Sequence, residues 1–203
     1  MTISGDGVNH EFKYDPVDTT YVPSQQLNFQ AGSEYTLTIN SPEFGSLKST
    51  QTMPEPVVDY TIKIDSLAKE GETKYKVSIE FDDNSSHYCR VEAFSKTEIK
   101  GNAEFTYWNV LYVPTQYFEF SNSGNRKITV SFIDHFDKEK QRGQTHGVYL
   151  VLSSISEDYY NYGKLLNNFD PQNPFAEPVT LSSNIDGGLG LFTLASGLVI
   201  PIK

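Results

Sequence analysis

Cysteine is nearly absent from this chain: the one thiol, Cys89, cannot close an internal disulfide or assemble a Cys-x-x-Cys or Cys/His metal site. Long apolar runs are missing as well. The richest stretches, 147–152 and 194–200, are only strand length, far below the roughly 18 residues a membrane-spanning helix requires. The opening Met1-Thr2-Ile3-Ser4-Gly5-Asp6-Gly7 has neither the charged nor the apolar region of a signal peptide, and it reads as beginning inside a strand. Basic charge is in deficit too. Sixteen Lys and Arg against 26 Asp and Glu give a net charge of −10, which repels a phosphate backbone and excludes nucleic acid as a partner.

What is abundant is aromatic. The 203 residues are 37% hydrophobic and include 13 Tyr and 13 Phe, side chains that favour half-buried pleated surfaces. Alternation is the strongest local signal. Tyr75, Val77, Ile79 and Phe81 alternate with Lys74, Lys76, Ser78 and Glu80, which sets one row on a core and one in water. The same period of two runs through Tyr35, Leu37 and Ile39, through Cys89, Val91 and Ala93, and through Ile128, Val130 and Phe132. Turn chemistry separates these runs, as at Gly5-Asp6-Gly7, Lys69-Glu70-Gly71-Glu72 and Asp82-Asp83-Asn84. The stretches 105–113 and 147–155 are apolar on both faces and are expected to be central strands.

The predicted fold is all-β: antiparallel β-sandwich modules, with an immunoglobulin-like N-terminal portion, a larger C-terminal sandwich and one short helix near 156–168. Ser156 is a good N-cap, Glu157 and Asp158 suit the first turn, and Tyr159, Tyr162, Leu166 and Phe169 recur at helical spacing. A second strand group is expected at 179–185 and 191–200, around the glycine-rich turn Gly187-Gly188-Leu189-Gly190. Met53-Pro54-Glu55-Pro56 holds the chain extended, which suggests modules over 1–56 and 57–203, the first short of its opening strands.

Few residues point to chemistry. His10, His87, His135 and His146 are scattered, without a two-histidine helical spacing, and are read as surface or strand-packing residues. No Gly-x-Ser-x-Gly elbow exists, although triads on other scaffolds leave no local signature. The glycine cluster lacks the Lys-Ser/Thr pair of a phosphate loop. Asp82-Asp83-Asn84 and Asp134-His135-Phe136-Asp137 carry oxygen ligands suited to calcium, but they do not match the full calcium-loop spacing and are read as solvated hairpin ends. No catalytic residue, cofactor or metal site is therefore assigned. Tyr107, Trp108 and Tyr112 are the candidate ligand-binding residues, a platform for a sugar or a partner protein if exposed and plain core if not. Cys89 is expected to be a buried small hydrophobe.

Several ordered elements resemble a known family. The runs Val148-Tyr149-Leu150, Asp158-Tyr159-Tyr160-Asn161-Tyr162, Asn173-Pro174-Phe175-Ala176-Glu177-Pro178 and Ser183-Asn184-Ile185-Asp186-Gly187-Gly188-Leu189-Gly190 are similar to the closing signature of a Bacteroidetes lipoprotein family, domain of unknown function 4249. Gly32-Ser33-Glu34-Tyr35-Thr36-Leu37-Thr38-Ile39 with Met53-Pro54 resembles its N-terminal module. The resemblance implies export, acylation on a cysteine near the mature start and retention at the outer membrane, beside transporters of the TonB-dependent kind. That cysteine is not found here, and Cys89 lies too deep to replace it, so the membrane is expected to be reached only through an N-terminal lipid anchor outside this chain. The family supplies no catalytic residues to carry over.

The leading expectation is a non-enzymatic envelope lipoprotein, an accessory or ligand-binding module whose partner is an outer-membrane transporter or a surface glycan or peptide. A secreted hydrolase with dispersed carboxylates stands as an alternative. So does a structural or adhesive module with an open sheet edge.

Overall fold

A computed structural model of the chain describes residues 1–43, 45–81, 88–99, 105–120, 126–136, 144–168 and 182–203. The architecture is the expected antiparallel all-β one, with thirteen strands and a single short helix among the described residues. The chain forms two compact units: Met1–Glu55 with Ile155–Ser196, and Pro56–Ser154 with Gly197–Lys203. The change of unit at Glu55 and Pro56 falls at the proline pair. Residues 155–196, helix included, belong with the N-terminal residues, whereas the sequence reading kept 57–203 together.

The first unit contains β1 (Thr2–Gly5), β2 (Val8–Asp15), β3 (Thr20–Pro23), β4 (Glu34–Ser41) and β5 (Gly45–Thr52), in the sheet order β3-β2-β1-β4-β5. Ile3, Tyr35 and Leu37 line its core together with Phe192 and Leu194 from the closing segment. Gly5 sits opposite Tyr35, and a Cβ there would collide with the Glu34 carbonyl oxygen and the Tyr35 ring, so only glycine fits.

The helix α1 (Glu157–Asn168) also belongs to this unit. Ser156 caps it as expected, its Oγ accepting from the Tyr159 amide at 3.3 Å. Its buried positions are Tyr160 and Gly163, while Leu166 is 47% exposed, which corrects the face read from the sequence. Tyrosines at 159, 160 and 162 leave several faces apolar, so packing decided which one was covered. Phe169 and the Asn173-Pro174-Phe175 element lie outside the described residues.

The closing motif is a knot of side-chain bonds. Asn184 Nδ2 donates to the Phe192 carbonyl and Asn184 Oδ1 accepts from the Phe192 amide, both at 2.8 Å. Asp158 Oδ2 accepts from Asn184 Nδ2 at 3.2 Å and from Gln51 Nε2 at 3.0 Å, tying the helix start to β5. Ser183 Oγ accepts from the Gly190 amide at 3.1 Å across the glycine turn, in which Gly187 has φ 82°. The described residues around it, 182–185 and 191–194, are not strands. The final strand begins only at Ala195, because the backbone there bonds side chains instead of a ladder.

The second unit is a sandwich. One sheet has β6 (Tyr60–Lys69), β7 (Glu72–Phe81) and β11 (Lys127–Asp134), in the order β11-β7-β6. The other has β10 (Tyr117–Glu119), β8 (Tyr88–Ile99), β12 (Gln144–Ile155) and β13 (Ala195–Pro201) in that order, with β9 (Phe105–Leu111) also on β8. Their inner rows, among them Val77, Ile79, Cys89, Val91, Ile128, Val130, Leu150 and Leu152, form one core. β12 is central, as expected. β9 is not: it pairs only with β8, and Thr106 through Val110 are exposed. Its two apolar faces therefore reflect an uncovered edge.

Candidate functional site

The inner face of the three-stranded sheet ends in a cross-strand row. Ser66 of β6 sits opposite Tyr75 of β7, and Tyr75 sits opposite Phe132 of β11. The two rings stack at 5.3 Å with 25° between planes. Leu111 at the end of β9, then Tyr112 and Pro114, close the other side, leaving an open cleft of 740 Å³. Its lining is mostly apolar; Asp65, Lys74 and Lys76 border it from positions whose side chains alternate to the outer face of the sheet. A recess of this size and composition suits a small molecule or one or two side chains of a larger one.

Just behind the stacked rings lies a buried polar triplet. His146 of β12 faces Thr97 of β8 in register, and its Nδ1 lies 2.9 Å from Thr97 Oγ1. Its Nε2 lies 2.8 Å from Asp134 Oδ2 of β11, in the opposing sheet. An ionised Asp134 only accepts, so Nε2 carries the proton and Nδ1 faces the Thr97 hydroxyl. Phe136 lies flat on the imidazole at 3.8 Å. The Asp134 and His146 side chains are each 4% exposed. Burial holds the Tyr75 hydroxyl above its ordinary pKa of 10.0, the Asp134 charge adds to this, and the Thr73 hydroxyl opposes it.

Acid, imidazole and hydroxyl in a line is the order of a nucleophilic relay, but here the hydroxyl is buried between sheets, where no substrate reaches it. The triplet is a polar clamp across the sandwich. Asp134 thereby leaves the solvated hairpin end expected of it. Asp137 and Asp82-Asp83-Asn84 lie outside the described residues.

Tyr107, Trp108 and Tyr112 are all exposed, with Tyr107 and Trp108 on opposite faces of β9. Trp108 sits opposite Lys96 on the outer face of β8, with its ring 5.8 Å from Tyr149 and the Lys96 ammonium 5.7 Å from its centroid. The Lys96 pKa is raised, first by its hydrogen bond to Glu98. Tyr107, opposite Thr97, belongs to the other face. Only Tyr112, 78% exposed, joins the cleft. Of the histidines, His10 and His146 are strand-packing and buried, His135 is exposed, and His87 lies outside the described residues. Tyr75, Phe132 and the triplet were missed as site residues because their partners lie far away in sequence, 12 positions for Asp134 with His146 and 49 for His146 with Thr97.

The family model described as Domain of unknown function (DUF4249) matches residues 1–197. No curated protein matches the chain.

Proposed function

The chain belongs to the DUF4249 family, and from that premise we propose that it is a non-enzymatic ligand-capture module of the cell envelope. The observation that carries the reading is the cleft beside Tyr75, Phe132 and Tyr112. Its lining is mostly apolar, a composition for holding an apolar or aromatic group of a peptide or glycoconjugate. The buried pair behind it, Asp134 and His146, is sealed from solvent and its members are bonded to one another, which supports a structural role for that pair.

The proposed place of action is the outer membrane of a Bacteroidetes cell, where a lipid anchor holds the protein beside a transporter that takes over the captured ligand. Family membership supports this placement.

Two experiments test the reading. Thermal-shift screening of peptides, glycans and metal chelates, followed by chemical analysis of the recovered compound, should find a stabilising ligand returned intact; conversion lost on a single carboxylate substitution would establish the hydrolase instead. Fractionation of native cells should find the protein with the outer membrane, and recovery in the cytoplasm would refute the placement.

A further inference from the structure

β12 runs along one whole side of β8, so β9 and β10 share the other. The Val91 amide donates to the Gln116 carbonyl on the β10 side at 2.7 Å, and the backbone groups of successive strand residues point to alternate sides. Ala93, Ser95 and Thr97 therefore turn their N–H and C=O groups toward β9, where Leu111, Asn109 and Tyr107 meet them in register. Thr106, Trp108 and Val110 point theirs the other way, and no strand among the described residues lies there.

The other sheet edges are blunted. β6 carries Lys63, Asp65 and Lys69, and β11 carries Lys127. β5 is bridged to Asp186, β3 and β13 end in Pro23 and Pro201, and β10 has only 3 residues. Natural sheets protect their edges by such means, because a row of unpaired backbone groups is a template for another strand. β9 has none of them: its 7 residues include no charge and no proline, and Thr106 through Val110 are exposed on both faces. Its end also reaches the cleft, which Val110 and Leu111 line.

We infer that β9 binds an extended peptide by strand addition, with the N–H and C=O groups of Thr106, Trp108 and Val110 pairing to the peptide backbone. Open backbone groups at every second residue match another strand, and not the hydroxyls of a sugar. A second copy of this chain would bring the same net charge of −10, so the partner is a neutral or basic segment of a different polypeptide. On the cleft reading, on which this last step alone rests, an apolar side chain of the added strand enters beside Leu111 and Tyr112.

The test pans the whole protein against a displayed library of random linear peptides and takes one enriched peptide, synthesised, into amide hydrogen exchange. Without peptide, the amides of Thr106, Trp108 and Val110 should exchange rapidly and that of Asn109 slowly; with it, the first three should become protected. Trp108→Pro deletes an N–H on the open side and no bond to β8, so circular dichroism should find the fold intact, while peptide binding should weaken about tenfold or more. Trp108→Val keeps the N–H and should lose much less. No enriched peptide, a peptide that leaves the three amides unprotected, or undiminished binding to Trp108→Pro would overturn the inference, as would protection of those amides by self-association of the free protein. Ser66→Trp separates the two readings: protection of the β9 amides that persists in this variant upholds strand addition and refutes the part given to the cleft, whereas its loss upholds both.

Discussion

His146 Nε2 and Asp134 Oδ2 lie 2.8 Å apart with both side chains 4% exposed, a hydrogen bond that joins the two sheets of the second unit. Removing one partner strands the other in a place water does not reach. Asp134→Ala is therefore expected to cost about 3–5 kcal/mol, and replacing both residues by apolar ones of similar volume should cost less than the sum of the single changes. Urea unfolding followed by the fluorescence of Trp108, the chain's one tryptophan, reads this unit. Additive losses would show that the two side chains are not coupled.

Tyr75 makes stability fall at alkaline pH. Its folded pKa is raised above 10.0 by burial and then by Asp134, so the folded state holds the phenol proton more tightly than the unfolded chain does. The resulting contribution is complete below pH 10.0 and declines as pH rises through the folded value. Tyr75→Phe keeps the ring stack on Phe132 and should flatten that decline, seen as parallel urea midpoints at neutral pH and a smaller loss above the ordinary phenol range. An identical alkaline loss in both proteins would place its cause elsewhere.

Two changes in the first unit should lower its thermal midpoint. Gly5→Ala forces a methyl group against the Glu34 carbonyl and the Tyr35 ring, at a cost of about 1–3 kcal/mol. Asn184→Ala removes the paired bonds to Phe192 and the bond to Asp158, worth about 2 kcal/mol together. Circular dichroism melts should register both, and wild-type behaviour of Asn184→Ala would mean the closing motif does not hold this unit.

Cys89 lies buried on β8 between Tyr88 and Arg90, within the sandwich core. A thiol reagent should leave it unmodified in native buffer and modify it in denaturant, at a rate tracking unfolding. Rapid native labelling would contradict the position of β8.

Where neighbours along the strand decided burial, the sequence was readable. Val77 and Ile79 face inward and Ser78 outward, because a strand with one wet face must alternate, and Ser156 caps the helix for equally local reasons. Decisions made by distant neighbours were hidden. β9 looked central because Trp108 and Val110 are apolar, yet whether such a strand is flanked on one side or two depends on residues far away in the chain. The same holds for the helix, where Tyr160 and not Leu166 was covered, and for the cleft, which three strands and the exit of β9 build together. Of the three aromatic residues singled out, Tyr112 alone lines that cleft, and strand alternation sends Tyr107 and Trp108 to opposite faces.

Backbone NMR of the protein with the best compound from the ligand screen tests the account most directly. Binding should shift the amides of Ser66, Tyr75, Tyr112 and Phe132, should vanish in Ser66→Trp, whose added ring fills the cleft, and should leave the compound chemically unchanged. Shifts confined to other surfaces, binding that survives Ser66→Trp, or a converted compound would contradict it.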